Sequence, residues 1–339
     1  MLFLLFLRLK MKRLQPLKFH SVLVPKLWGG TAIAALKGIS DAPDRVGESF
    51  ELSALAGQET FCATAGFEGL SLRMLIERYG ADLVGEENLA RYGAEFPLLI
   101  KFIDARDALS VQVHPDDEMA RRLGMPYGKS EMWYVVDARA DASLLAGFGE
   151  EVSPNDFDKL VADGSLMNKA CRYLTRRGDA FYIPAGTLHS IGAGNLIIEV
   201  QQSSGATYRV YDFDRVDEHG SKRELHVSLA REALNFNAQT DCFHHVEECA
   251  GERVPVVSSP YFRTEVLRLS AGMDVPYRWS LAGLDSFVAM TCYDGMAILT
   301  DDGGRTTCLG KGETLLLPAA TRYAEIATEE GFAVLLAYV

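Results

Sequence analysis

Two short stretches constrain the fold of this chain more than any others. Residues 109–115 read Leu-Ser-Val-Gln-Val-His-Pro, so apolar and polar side chains alternate. Because side chains alternate between the two faces of a β-strand, this pattern predicts a strand whose polar face carries Ser110, Gln112 and His114. Residues 178–189 read Gly-Asp-Ala-Phe-Tyr-Ile-Pro-Ala-Gly-Thr-Leu-His, in which a Pro-x-Gly turn signal precedes His189. A turn between two short apolar runs predicts a β-hairpin.

A third strand-like stretch, residues 128–137, contains Lys129 and Glu131. These two residues are two positions apart, so their side chains point the same way on a strand. Histidine nitrogens with carboxylate and amide oxygens are a plausible donor set for a zinc-type ion. The predicted metal ligands are therefore Gln112, His114, Glu131 and His189. Gln112 is the weakest donor of the four. The alternative is that it contacts one of the metal ligands and not the metal itself.

These stretches resemble known families. Gly178-x5-Pro184-x-Gly186-x2-His189 matches the second cupin motif, although the asparagine that usually follows comes two residues late, at Asn195. Residues 96–105, 112–115, 128–133 and 198–214 resemble the class I mannose-6-phosphate isomerases of the short bacterial type. The ordered set of four segments is far more specific than the cupin motif alone.

The resemblance implies a zinc-dependent enzyme, with one Zn²⁺ per chain, that interconverts mannose 6-phosphate and fructose 6-phosphate through an enediol. It places Lys129 and Arg209 in the active site, and the paired donors of a guanidinium suit a phosphate or an enediolate oxygen. Substrate-binding candidates are Ser110, Lys101 and Glu199. The proton-transferring group stays open between Glu199, Lys129 and a metal-bound water. Phe50 stands where the family more usually has tryptophan, which bears on sugar preference.

An internal repeat indicates a second domain of the same fold. Gly312-x5-Pro318 has the spacing of Gly178-x5-Pro184, but Ala320 and Tyr323 replace the glycine and histidine that follow. We therefore expect a mainly β protein with helical insertions, made of two cupin, or jelly-roll, β-sandwich domains, of which only the N-terminal one carries a metal site. The expected divisions are a tail at 1–14, a catalytic cupin domain at 15–240 and a degenerate cupin domain at 250–339.

Four helices are expected. Apolar residues recur at helical spacing in residues 70–84. A short helix is expected after Pro115, where acidic residues follow the proline. Ser153 and Pro154 predict a helix with serine at its N-cap. A last helix is expected over residues 221–234, and strands alone after about residue 254.

Composition limits the partners of the chain. A net charge of −12 without a basic stripe argues against nucleic acid. The six cysteines show no CxxC pair, which favours a reducing compartment.

The apolar start, residues 1–10, has a core of about seven residues, which is too short to span a membrane. Met11 could equally be the natural start. We expect a cytoplasmic protein with a small phosphosugar substrate and no membrane partner; the oligomeric state cannot be derived.

Two other functions stay open at this stage. A different metal-dependent cupin enzyme, such as an iron dioxygenase, also uses two histidines and a glutamate. A non-catalytic sugar-phosphate-binding homologue would keep the pocket without the reaction. Gln112, Lys129 and Arg209 favour the phosphosugar isomerase, because dioxygenase chemistry does not require them.

Overall fold

The computed structural model describes residues 13–217 and 219–339. Most of the predicted N-terminal tail, and all of the apolar start, therefore lies outside the described residues. Among the described residues no helix is long and apolar enough to cross a membrane. The expectation of a mainly β protein with helical insertions is confirmed.

The strands are β1 (Leu17–His20), β2 (Val22–Gly30), β3 (Val46–Leu52), β4 (Phe61–Cys62), β5 (Leu98–Ala105), β6 (Val111–Val113), β7 (Glu131–Ala138), β8 (Ser143–Phe148), β9 (Ala170–Leu174), β10 (Asp179–Ile183), β11 (His189–Ile191), β12 (Asn195–Gln202), β13 (Tyr208–Tyr211), β14 (Phe243–His245), β15 (Arg253–Ser258), β16 (Arg263–Leu269), β17 (Tyr277–Ser280), β18 (Val288–Asp301), β19 (Thr306–Gly310), β20 (Thr314–Leu317), β21 (Tyr323–Ala327) and β22 (Phe332–Tyr338). The helices are α1 (Ala32–Lys37), α2 (Leu72–Tyr79), α3 (Ala81–Val84), α4 (Glu86–Tyr92), α5 (Asp117–Arg122), α6 (Phe157–Ala162) and α7 (Val227–Ala233), with a 3₁₀ turn at Ser165–Lys169.

Two antiparallel sheets form the N-terminal sandwich. One has the order β14-β10-β7-β12-β5-β2-β3 and the other β13-β6-β11-β8-β9. Side chains from both sheets share one apolar core, for example Trp133 and Phe181 from the first and Leu144 and Ile191 from the second. Packing two sheets face to face through their apolar sides is the expected arrangement of a jelly roll. The second sheet holds the strands that carry Gln112 and His189.

The C-terminal strands form a further sheet system that includes β15 to β22. It also contains β1, whose Leu17 pairs with Leu316 of β20. The first described strand thus completes the sheet of the distant half of the chain. The divisions at 15–240 and 250–339 stay a prediction.

The internal repeat corresponds to a repeated local structure. Gly178 and Gly312 both have a positive φ, +87° and +81°, and each precedes a strand, β10 and β20. Their N–H groups donate to carbonyls of neighbouring strands, at Val135 and Cys292. A left-handed backbone favours glycine because it has no Cβ to clash.

The predicted helices are confirmed in two places and wrong in detail in two others. Residues 70–84 hold α2 and α3, and α5 follows Pro115. The helix expected from Ser153 starts later, at Phe157: the Ser153 side chain accepts a hydrogen bond from the Asn155 N–H, so this serine opens a turn and does not cap the helix.

The helix expected over residues 221–234 occupies only Val227–Ala233. The His226 N–H donates to the Arg209 carbonyl at 2.8 Å, which ties the preceding segment to β13. An N–H group that donates to a strand cannot also donate within a helix, so the helix cannot run back through His226 and begins at Val227.

Candidate active site

Three buried side chains meet between β6, β7 and β11. His114 follows β6, Glu131 begins β7 and His189 begins β11. Nε2 of His114 lies 3.3 Å from Oε2 of Glu131, and Nε2 of His189 lies 3.3 Å from Oε1. Each side chain is at most 1% exposed, and their ligand atoms all lie within 4.8 Å of one another. The structure therefore brings together three of the predicted ligands.

The chemistry of this cluster fits a cation. Within the described residues, Oε1 of Glu131 and Nδ1 of His114 are buried without a hydrogen-bond partner, and Oε2 of Glu131 has the Lys129 ammonium 3.0 Å away. Leaving buried polar atoms unsatisfied is costly, and a metal ion would compensate the carboxylate. Nδ1 of His189 lies 2.8 Å from the Thr187 carbonyl oxygen, which can only accept. The proton is therefore on Nδ1, and Nε2 keeps the lone pair that binds a metal.

The charge states of the cluster are those of metal ligands. Burial, then the neighbouring Lys129 ammonium, lowers the pKa of His114 to about 3. Burial also lowers the pKa of His189. Burial alone would raise the pKa of Glu131, but Lys129 and the histidines hold it well below its usual range. Two neutral imidazoles and one carboxylate result, and metal binding needs deprotonated ligands.

Gln112 lies beside the cluster in a different orientation. It pairs with His189 across β6 and β11, and its Nε2 lies 3.2 Å from Nε2 of His189. Its Oε1 accepts from the Ser110 hydroxyl at 3.1 Å. Rotating the amide by half a turn would present Oε1 to an ion and leave the NH₂ group facing Ser110.

Lys129 is buried against the same cluster. Its Nζ lies 3.0 Å from Oε2 of Glu131 and 3.1 Å from Nε2 of His114. The expectation that Lys129 and Glu131 point the same way agrees with this geometry.

A cavity of about 390 Å³ opens beside the cluster, a size that suits a small ligand. Its wall includes all the remaining predicted substrate residues: Ser110, Lys101, Glu199 and Arg209. Lys101 Nζ donates to Glu199 at 3.0 Å and to Glu48 at 3.3 Å. Glu199 also accepts from the Trp133 indole at 3.0 Å. Lys101, in the apolar strand β5, is thus a buried cation paired with two carboxylates.

Several residues of the wall were missed from the sequence. Glu48 lies two residues before Phe50, whose position was compared with the family, but Glu48 itself was given no role. No sequence pattern pointed to Lys26 or Trp133 as residues of the cavity wall. Arg223 lies in the segment expected to be helical, where an arginine beside Lys222 resembles a solvent-exposed position.

The comparisons with known proteins agree with one another. Residues 17–139 match the model of the phosphomannose isomerase type I catalytic domain. The chain is 32% identical to the mannose-6-phosphate isomerase of Streptococcus mutans over 90% of this chain and 92% of that protein.

Solved structures show the same fold. The mannose 6-phosphate isomerase of Bacillus subtilis superimposes with a TM-score of 0.81, at 29% identity, over 96% of this chain and all of that one. A zinc-bound mannose 6-phosphate isomerase superimposes with a TM-score of 0.75 at 16% identity, covering 95% of this chain and 99% of that one. The extent of the sequence match over nearly the whole length assigns the chain to the type I mannose-6-phosphate isomerase family.

Proposed function

We propose that this chain interconverts mannose 6-phosphate and fructose 6-phosphate with zinc as its metal. The observation that carries the proposal is a buried carboxylate between two neutral imidazoles, at the wall of a cavity lined by lysine and arginine. Family membership supports the substrate, and the zinc-bound member of the same fold supports the metal. No redox cofactor is required, because an aldose–ketose isomerisation has no net oxidation.

His114, Glu131 and His189 would hold the zinc ion, and Gln112 would complete the set with its amide turned over. When bound, the ion supplies a Lewis acid that polarises the sugar carbonyl and favours negative charge on its oxygen. A catalytic zinc site with three protein ligands keeps a position open for water or substrate. The neutral imidazoles and ionised carboxylate are suited to this role at neutral pH.

The reaction moves a proton from C2 to C1 of the open-chain sugar through an enediol. Negative charge develops on the oxygens at C1 and C2. We assign Lys129 and Arg209 to the stabilisation of that charge, since both present fixed cations to the cavity wall. Pre-positioned charges cost no reorganisation during the reaction, so they lower the barrier.

Glu199 of β12 and Lys101 of β5 would bind the sugar at the part of the cavity wall that these two strands form. The Glu199 carboxylate is fixed by Lys101 at one oxygen and by Trp133 at the other. A carboxylate held in this way can accept a sugar hydroxyl or take a proton from carbon in a defined direction. Ser110, whose hydroxyl contacts Gln112, is placed to contact the substrate next to the metal ligands.

The test is conversion of mannose 6-phosphate to fructose 6-phosphate by the wild type and by Lys129→Met, followed by ³¹P NMR. Lys129→Met should lower kcat about a hundredfold, because one pre-positioned charge is lost. Lys169→Met is the matched control, since Lys169 pairs with Glu150 on the surface. Wild-type protein that produces no fructose 6-phosphate would refute the proposal, and equal rates for wild type and Lys129→Met would refute the role of Lys129.

A further inference from the structure

The charges on the cavity wall are distributed unevenly. At one end Lys26 and Lys101 face Glu48 and Glu199, with contacts of 2.7 Å, 3.3 Å and 3.0 Å. Two cations and two carboxylates neutralise each other there. This end of the cavity offers an anion no excess positive charge.

The other end has an excess of cations. Arg215 and Arg223 share a single carboxylate, Asp212, and Arg209 lies in the same group. Nε of Arg223 donates to Oδ2 of Asp212 at 2.7 Å, and its Nη2 donates to Oδ1. The carboxylates near this group are Asp212 and the largely exposed Glu224, so three guanidinium groups still leave a net positive charge beside the cavity. Arg209 and Arg223 line the cavity wall, whereas Arg215 bonds to the Ala108 carbonyl behind it.

The two arginines of the wall keep unused donors. Two N–H groups of Arg223 are committed to Asp212, which leaves the Nη1 side of the fork available. In the described residues the guanidinium of Arg209 forms no hydrogen bond or salt bridge. Burial, followed by the charge of Arg223, lowers the pKa of Arg209. Two guanidinium groups close enough for one to lower the pKa of the other repel each other, and a bound anion would relieve that repulsion.

The topology orders these groups relative to the metal ligands. Arg209 of β13 pairs with Gln112 of β6, which pairs with His189 of β11. Arg223 belongs to the segment tied to the outer side of β13 through the bond from His226 to Arg209. It therefore lies beyond Arg209, counting outward from the metal ligands. In a hexose 6-phosphate the phosphate is likewise at the far end from the reacting carbons, C1 and C2.

We propose that Arg223 binds the 6-phosphate of the sugar and that Asp212 is the residue that positions Arg223. The assignment rests on the proposed function, because it takes a hexose 6-phosphate as the substrate. Lys101, a substrate-binding candidate from the sequence, lies instead at the neutralised end of the cavity.

The experiment measures binding and turnover separately in zinc-loaded protein. Sorbitol 6-phosphate, which cannot isomerise, is titrated by calorimetry, with sorbitol and inorganic phosphate as comparison ligands. KM and kcat for mannose 6-phosphate are measured on the same samples. The variants are Arg223→Ala, Arg223→Lys and Asp212→Asn, and thermal unfolding checks that each is folded. Lys222→Ala is the charge-matched control, since the adjacent Lys222 is exposed and pairs with Asp214.

Arg223→Ala should weaken sorbitol 6-phosphate binding, and raise KM, about tenfold or more, while kcat changes little. Arg223→Lys should lie in between, because it keeps the charge and loses the fork. Asp212→Asn should also raise KM more than it lowers kcat. Sorbitol binding should be the same in all variants.

Unchanged affinity and KM in Arg223→Ala would overturn the assignment. An equal loss of affinity in Lys222→Ala would also overturn the assignment. It would show that any nearby positive charge favours binding, without a direct contact from Arg223. An unchanged KM in Asp212→Asn would refute the positioning role of Asp212 and leave the role of Arg223 untouched. Wild-type protein that binds sorbitol 6-phosphate through Arg223 but does not turn over mannose 6-phosphate would refute the proposed function and leave this assignment standing.

Discussion

At the scale of single residues, Glu131 is the centre of the site. Each of its carboxylate oxygens lies 3.3 Å from one of the two histidines, and Oε2 also lies 3.0 Å from the Lys129 ammonium. An ionised carboxylate in the interior is stable only when cations compensate it, and a metal ion would add to the compensation that Lys129 gives at Oε2. The metal is therefore expected to depend on this side chain more than on Gln112.

Glu131→Gln tests that dependence. The change keeps the size of the side chain and removes its charge, so metal content after dialysis should fall from about one equivalent to less than a tenth, and kcat should fall at least a hundredfold. Elemental analysis by mass spectrometry measures the metal. His20→Ala, at an exposed histidine on β1, should keep full metal content. A full equivalent of metal in Glu131→Gln would contradict the assignment.

The ionisation of Glu48 should make the free energy of unfolding depend on pH in the acidic range. Burial alone would raise its pKa, but Lys101 and Lys26 hold it at about 2, against an ordinary value of 4.5. A depressed pKa contributes stability above pH 4.5, and the contribution is lost as the pH falls from 4.5 toward 2. The contribution is on the order of 3 kcal/mol.

Urea unfolding of Glu48→Gln between pH 3 and pH 6 measures this contribution. The variant should be less stable than the wild type at pH 6, and the difference should shrink at pH 3. Glu77→Gln, at an exposed position of α2, should parallel the wild type throughout. A difference that stays constant with pH would show that Glu48 acts through packing alone.

The sequence was most informative about residues whose local pattern has a geometric meaning. His114 and His189 could be predicted because strand alternation and a Pro-x-Gly turn fix where they point. Arg223 could not, because its orientation depends on Asp212 and on the bond between His226 and Arg209, neither of which is a sequence pattern. The ion pair between Lys101 and Glu48 could not be predicted either. The two residues lie on β5 and β3, and only the folded sheet brings these strands side by side.

At the scale of elements, the turn between β10 and β11 presents His189. Gly186 has a φ of +87°, and its N–H donates to the His114 carbonyl at 2.9 Å. A Cβ at this position would meet the Ala233 carbonyl oxygen at 3.1 Å. This one glycine thus links the segments that carry His114 and His189, two of the proposed ligands.

Gly186→Ala should therefore lower both stability and metal affinity. Left-handed strain costs about 1–2 kcal/mol, and the close contact requires the turn to shift. Gly164→Ala is the matched control: Gly164 has a φ of +75° with open space around it, so its variant should carry the strain without the loss of metal. Denaturant unfolding and a competitive zinc titration measure the two quantities. Equal zinc affinity in both variants would contradict the role of the turn.

Helices were predicted less well than strands, for a physical reason. The strand β5 is buried along its whole length, so its apolar run identifies it. The segment 221–226 has helix-compatible residues, but tertiary bonding to β13 overrides local preference. Ser153 could cap a helix or open a turn, and its sequence context does not decide between them.

At the scale of the whole molecule, polar contacts join the two halves of the chain. They act in addition to the pairing of β1 with β20 of the C-terminal half. Glu248 accepts hydrogen bonds from Tyr134 of β7 and from Tyr293 of β18, the latter at 2.7 Å. It also pairs with Arg268 of β16. Burial raises the pKa of Glu248, but these bonds lower it below its usual value overall. One carboxylate therefore satisfies donors from both halves.

Glu248→Ala should lower the free energy of unfolding by about 3 kcal/mol, because buried donors lose their acceptor. The kcat at 25 °C should not change, since Glu248 is not in the cavity wall. Calorimetry of the variant measures the loss. Glu247→Ala, at the exposed neighbour, should unfold like the wild type. A normal melting temperature in Glu248→Ala would show that the apolar interface alone holds the halves together.

The central claim is that a metal held by His114, Glu131 and His189 supports isomerisation of a hexose 6-phosphate. The most direct test is fructose 6-phosphate formation from mannose 6-phosphate before chelation, after chelation and after adding back zinc. We predict activity that disappears with the chelator and returns when about one equivalent of zinc per chain is restored. Zinc-loaded, folded protein that turns over no hexose 6-phosphate, or activity that chelation leaves intact, would contradict the account.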